Sequence, residues 1–169
     1  AARWWRQAAE RALAHRSIDE AVAQLQAGLA SVARLPAGPE RDRCEMELRA
    51  MLGTAHMLGR GWAAPEVEQA YARAQALADR GDHVAEAVWP LWGNCIFHLV
   101  RGDIRLAQGI GQRITTVARH ADSRLAWLVH DMLHVQLAFY SGQLAEVARW
   151  AERVEHRFQD PADRALITL

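Results

Sequence analysis

Lysine is missing altogether. All 20 basic side chains of this 169-residue chain are arginines, and 20 acidic side chains balance them to a formal charge of zero. The balance is local as well: residues 1–85 carry 11 Arg against 11 Asp and Glu, and the remainder carries 9 against 9. With no basic face there is no electrostatic footprint for a nucleic-acid backbone or an anionic membrane. With no lysine there is no Gly-x-x-x-x-Gly-Lys phosphate loop. Cysteine is nearly absent too. Cys44 and Cys95 lie within apolar helical pattern and are too few for a disulfide framework, which points to a reducing, cytoplasmic setting. No run approaches the ~18–20 apolar residues of a membrane span. No signal peptide is legible either, since Ala1-Ala2-Arg3-Trp4-Trp5 reads as the middle of a helix. At the other end, residues 164–169 read as the opening of a further helix, so a piece of a longer chain is expected. The exclusive use of arginine fits a GC-rich bacterial codon bias.

What is abundant is helix-forming. Ala and Leu supply 51 residues, against 21 for Val, Ile and Thr together, and Ala and Leu lose the least entropy in a helix. Breaks in the apolar pattern recur. Gly102-Asp103 and Gly142-Gln143 each close one apolar-periodic segment and open another, as do Gly61 and Arg16-Ser17 earlier. Gly61 to Gly102 is 41 residues and Gly102 to Gly142 is 40. A fixed period of this size predicts stacked helix pairs, none of which buries its apolar face alone. Eight helices in four pairs follow, over residues 3–15 and 18–35, 40–58 and 65–80, 83–101 and 104–121, 124–141 and 144–158. Ser17, Asp82, Asp103 and Ser123 stand as N-caps, Pro65 suits a first helical turn, and Pro90 predicts a bend or a late start. The whole chain reads as one all-α domain, a right-handed superhelix with repeats roughly at 1–35, 38–81, 82–121 and 123–158.

A small residue follows three of the breaks at a constant offset: Ala21 after Arg16, Ala107 after Gly102, and Val147 after Gly142. It lets the helices of a pair approach closely. After Gly61 the corresponding Ala70 comes later, which implies an insertion carrying Trp62. Gly61-Trp-Ala-Ala-Pro-Glu-Val-Glu-Gln-Ala-Tyr-Ala-Arg-Ala74, Trp89-Pro-Leu-Trp-Gly93 and Phe97-His-Leu-Val-Arg-Gly102 together resemble the tetratricopeptide-like repeat region of large bacterial signalling proteins. In that family an adenylate/guanylate cyclase domain and an AAA/STAND-type ATPase domain precede the repeats. The resemblance extends over Leu25–Arg43 and His130–Gly142; Gly142-Gln-Leu-Ala-Glu146 is a looser match, and Val135 stands where the family tends to have a small residue. It implies a regulatory module whose partner or effector biases a catalytic domain elsewhere.

For chemistry within the chain, His130-Asp131-Met132-Leu133-His134 places two histidines one turn apart beside a carboxylate. The spacing is that of a zincin helix, but Asp replaces Glu and no third ligand follows, so packing histidines are the better reading. Serines and threonines fit caps and helix faces, and none adjoins a paired His and carboxylate. Carboxylate pairs such as Glu66/Glu68 and Glu152/Glu155 alternate with arginine and read as solvated faces. No enzyme, metal or cofactor is expected. Of the seven tryptophans, Trp62, Trp92 and Trp127 read as core, while Trp4, Trp5 and Trp150 read as marks of surfaces that meet other repeats or domains. The expected partner-binding groove is lined by the first helix of each pair, at Trp89, Trp92, Ile96, Leu99, Met132, Gln136, Phe139 and Tyr140, and extended by Glu47, Thr54 and Met57. A protein or peptide partner is the leading expectation. A homo-oligomerisation module, the repeat region of a transcription activator, and a small-molecule sensor with an apolar pocket near Trp89, Trp92 and His98 are the alternatives.

Overall fold

The structure, a computed structural model, describes residues 2–80, 87–121 and 123–166. Among them every regular element is a helix. In chain order these are α1 (Ala2–Ala14), α2 (Ile18–Val32), α3 (Pro39–Arg60), α4 (Pro65–Ala78), α5 (Val88–Arg101), α6 (Ile104–Ala121), α7 (Arg124–Tyr140), α8 (Leu144–Phe158) and the short α9 (Pro161–Ala165). None of them is long and apolar enough to cross a membrane. The expected Asp82 cap and the stretch 83–86 lie outside the described residues. α5 has Pro90 in its first described turn, where a ring without an N–H is tolerated.

The four breaks read from sequence are the four described residues with positive φ: Arg16 at 57°, Gly61 at 94°, Gly102 at 84° and Gly142 at 73°. Three of them build the same turn. The N–H groups of Arg16, Gly102 and Gly142 donate to the carbonyls of Leu13, Leu99 and Phe139, at 2.9–3.1 Å. Each following N–H donates five residues back, Ser17 to Ala12, Asp103 to His98 and Gln143 to Ala138, at 2.8–2.9 Å. This left-handed cap satisfies carbonyls that a helix end otherwise leaves open. Gly61 differs, with extended ψ and a further turn through Ala64, in line with the insertion carrying Trp62. Because an L side chain at φ +84° costs about 1–2 kcal/mol, Gly102→Ala is expected to lower stability by about 1 kcal/mol in urea unfolding. An unchanged midpoint would contradict the cap.

Ser17 corrects one expectation. Its hydroxyl makes no capping hydrogen bond, and its backbone, at φ −85° and ψ 71°, lies outside the extended region from which an N-cap side chain reaches the first turn. Ser123 does cap α7, its Oγ accepting from the Ala126 N–H at 3.4 Å. Asp160, not foreseen as a cap, accepts from the Ala162 N–H at 2.8 Å and starts α9.

Each helix packs on the next, and the odd-numbered helices also pack on one another: α1 on α3, α3 on α5, α5 on α7 and α7 on α9. Among the described residues no even-numbered helix approaches the next even one. The small residues foreseen after the breaks explain the tight pairing: Ala21 and Ala107 are wholly buried and Ala70 nearly so. Val147, the exception, is half-buried, and α8 buries no residue completely. The last pair is therefore bound by other means.

The joint at the middle of the array is Tyr71 on α4. Its ring is buried in a notch made by Gly53 of α3 and Gly93 of α5, and its hydroxyl lies 3.0 Å from Thr54 Oγ1. Arg73, one turn-face away, grips Glu45 of α3 with two hydrogen bonds of 2.8 and 3.0 Å. That fork holds the Glu45 carboxyl below its ordinary range. The Gly61–Ala74 motif thus works as the clamp between the second and third pairs.

Candidate functional site

Two parts of the molecule gather chemistry: the face of the odd-numbered helices, and the end formed by α7, α8 and α9. On the first, α5 presents Trp89 and Trp92 one turn apart, edge to face with ring centres 5.7 Å apart. Trp62 joins them from the 61–64 turn, 6.0 Å from Trp92. Trp62, expected in the core, is 41 % exposed, because the insertion lifts it onto the rim of the other two rings. Trp92 and Trp127 are half-buried against core side chains. On α7, Met132, Gln136 and Tyr140 recur every four residues and so share a stripe. Met132 and Gln136 are half-buried, and Tyr140 is 47 % exposed with Phe139 exposed beside it.

Ile96 and Leu99 do not belong to this surface. Ile96 is 4 % exposed and Leu99 less, both in the core shared by α3, α5, α6 and α7. Met57 is buried against Tyr71 and Phe97, and Thr54 is bonded to Tyr71. Of the positions expected in a groove, Trp89, Trp92, Met132 and Gln136 are half-buried and Tyr140 is exposed, whereas Ile96, Leu99 and Met57 are buried in the packing of α5 and α3. His98 reaches towards Asp103 at 3.5 Å.

The second part is built on Asp131, which has no exposed surface. Arg153 Nη2 and Arg157 Nε of α8 donate to its two oxygens at 3.0 and 2.6 Å, and His130 Nδ1 stands 2.9 Å from Oδ1. Burial alone raises the carboxyl pKa; the bonds from His130 and Arg157 and the charges of Arg153 and Arg157 outweigh it and bring it down to about 2. Around this carboxylate the rings of His130, His134 and Trp150 stack, with centres 4.1 Å and then 4.6 Å apart. The Arg153 guanidinium covers the indole at 4.8 Å. His134 is held below its ordinary pKa by burial, so the imidazole stays neutral near pH 7.

α9 closes the cluster. Its Asp163 is buried and accepts from Arg124 Nε at 2.9 Å, with Arg157 Nη1 at 3.8 Å, while Asp160 pairs with the same Arg124. A charge-lined cleft of about 430 Å³ lies between these groups. Both oxygens of Asp131 are engaged by cations, which describes a structural anchor in place of a metal ligand or a base. Among the described residues no three His, Cys, Asp or Glu side chains converge as a metal set. Cys95, pushed up to about 12 by burial with its thiol 3.2 Å from the Ala107 carbonyl, is no nucleophile at neutral pH.

The anchor was missed in the sequence, although a signal exists. Arg149, Arg153 and Arg157 stand four apart on α8, where like charges repel unless an anion sits among them. Trp5 and Trp150 also turn inward, Trp5 onto Gly28 and Trp150 onto His134, while Trp4 remains 56 % exposed. In comparisons with known proteins, the chain matches no family model, no curated protein and no solved structure. The functional reading therefore rests on residues and geometry.

Proposed function

We propose that this chain is a non-catalytic helical-repeat module, a tetratricopeptide-like superhelix, that binds a protein or peptide partner on the face of its odd-numbered helices. The carrying observation is the alternation of contacts: odd helices touch one another and even helices do not. Such an array curves, with α3, α5 and α7 on its inner side and α4, α6 and α8 splayed outside. The recurring left-handed turns at Gly102 and Gly142 support the same reading, since both repeat one hydrogen-bond pattern between successive helices. Trp89, Trp92, Met132, Gln136 and Tyr140 then supply the aromatic and polar contacts typical of interaction faces. The resemblance of Gly61–Ala74 to repeat regions of cyclase–ATPase signalling proteins adds a setting in which partner or effector binding biases a distant domain by population shift.

The test is a peptide selected for binding from a random display library. Alanine at Trp89 together with Tyr140 is expected to weaken it at least tenfold while the helical circular-dichroism signal is kept. Peptides whose affinity ignores both side chains would contradict the reading.

Exposed Trp4, edge-on to Trp5 at 4.6 Å, favours a second reading in which the first pair joins two copies of the chain. Sedimentation that gives a dimer, and a monomer for Trp4→Ala, would support that reading; a monomer at all concentrations would remove it.

A further inference from the structure

The splaying of the even helices leaves a second cleft, of about 280 Å³, between α6 and α8 with α7 as its floor. Its lining contrasts with the charge-lined cleft beside Asp131. In a chain with 24 % charged residues, none of the nine residues that line it is charged. Gln108 and Gln112 point from α6 one turn apart, Ser141 and Gln143 face them from the turn after α7, and His134 and Trp150 form the far wall. The floor is close-packed because Gly111 lacks a side chain: a Cβ there would stand 2.6 Å from Leu137 Cδ1.

These groups are set rather than loose on the far wall. His134 Nδ1 lies 2.8 Å from the His130 carbonyl, so this nitrogen carries the proton and donates, leaving Nε2 as an acceptor. Trp150 is fixed between His134 and the Arg153 guanidinium. On the near wall, carboxamides offer a donor and an acceptor in one plane, the pairing with which glutamine reads the N6/N7 edge of adenine. A cation would be repelled by the Arg149 and Arg153 guanidiniums over the Trp150 ring, and a purely apolar ligand would strand the amides. The volume, at the lower edge of the ~300–1,000 Å³ range of ligand pockets, fits one or two fused rings.

We infer that this cleft takes an uncharged planar nitrogen heterocycle of nucleobase size, bound edge-on by Gln108 and Gln112 against the His134–Trp150 wall. Resting on the superhelix reading above, such a ligand would bridge two outer helices that otherwise do not touch, and so fix the spacing of the last two pairs. It occupies the side opposite the peptide face, so the two sites are separable by experiment.

Isothermal titration with adenine as the probe and glucose as the uncharged non-planar comparator tests it. Adenine is expected to bind saturably at one site and glucose not at all. Gln108→Ala with Gln112→Ala, both on the exposed side of α6, is expected to weaken adenine at least tenfold without moving the melting temperature; Gln143→Ala serves as the second variant. No saturable heat up to the solubility limit of adenine, equal affinity in the variants, or glucose in place of adenine would overturn the inference. The peptide selection would stand in each of those cases, because it reads the other face.

Discussion

Gly93→Ala is expected to lower stability by up to about 2 kcal/mol, a loss of up to roughly 4–8 °C in melting temperature for a chain of this size. The reason is the notch around Tyr71. A Cβ on Gly93 would lie well under 3.0 Å from three carbons of the phenol ring, closer than side chains ever pack. The ring has nowhere to go, since its other side rests on Gly53, where a Cβ would meet it at 2.8 Å, and its hydroxyl is tied to Thr54. Overpacking of this kind costs about 1–3 kcal/mol, and the better helix propensity of alanine returns only about 1 kcal/mol. Gly109 is the internal control. It sits in α6 with open space around it, so Gly109→Ala should be neutral or stabilising by up to about 1 kcal/mol. Tyr71→Leu in the Gly93→Ala background should recover part of the loss, a coupling visible in a double-mutant cycle. Equal melting temperatures for Gly93→Ala and the parent would remove Tyr71 from its place as the joint.

Asp131→Asn is the second large effect, and its signature is in pH. The carboxyl titrates near 2 when folded against an ordinary value of 3.8. A depressed carboxyl contributes stability that is fully present above its unfolded pKa and is lost as pH falls through its folded one. Its share, about 2 kcal/mol from the size of the shift, should thus hold at neutral pH and fade between about pH 4 and pH 2. The asparagine keeps the shape but not the charge, so Arg153 and Arg157 face a weaker acceptor. Arg153 is half exposed and can return to water, which keeps the loss near 2 kcal/mol and below the ~3–5 kcal/mol of a fully buried broken pair. Urea unfolding of parent and variant should therefore differ at pH 7, with the gap narrowing below about pH 4 and largely gone only by pH 2. A gap that persists at pH 2 would assign the loss to packing alone. Because Asp131 joins α7 to α8, and Arg157 carries the link on to Asp163 of α9, the variant is also expected to speed amide exchange in α8 and α9 ahead of α1–α4.

Legibility followed backbone demands. Arg16, Gly61, Gly102 and Gly142 could be read as breaks because a positive φ is written in the residue type or in a sharp change of pattern. The alanines that follow were readable for the same reason: close helix approach tolerates little else. The inward face of α5 was not readable. Nine of its fourteen residues are buried, so it has no polar side to tell which positions point to a groove, and Ile96 and Leu99 were placed outside when they are core. Asp131 and Asp163 were hidden differently. A buried carboxylate looks like any surface one until the arginines of another helix are laid over it, and that depends on contacts 22 to 39 residues away in sequence. The uncharged cleft between α6 and α8 belongs to the same class, since only the packing across α7 brings its two walls into register.

The most direct measurement is chemical-shift mapping of the ¹⁵N-labelled chain with the selected peptide. The account predicts perturbations at Trp89, Trp92, Met132, Gln136 and Tyr140, on α5 and α7, with α4, α6 and α8 quiet. Shifts gathered on the outer helices instead, or spread evenly without saturation, would contradict an inner interaction face on a curved array of helix pairs.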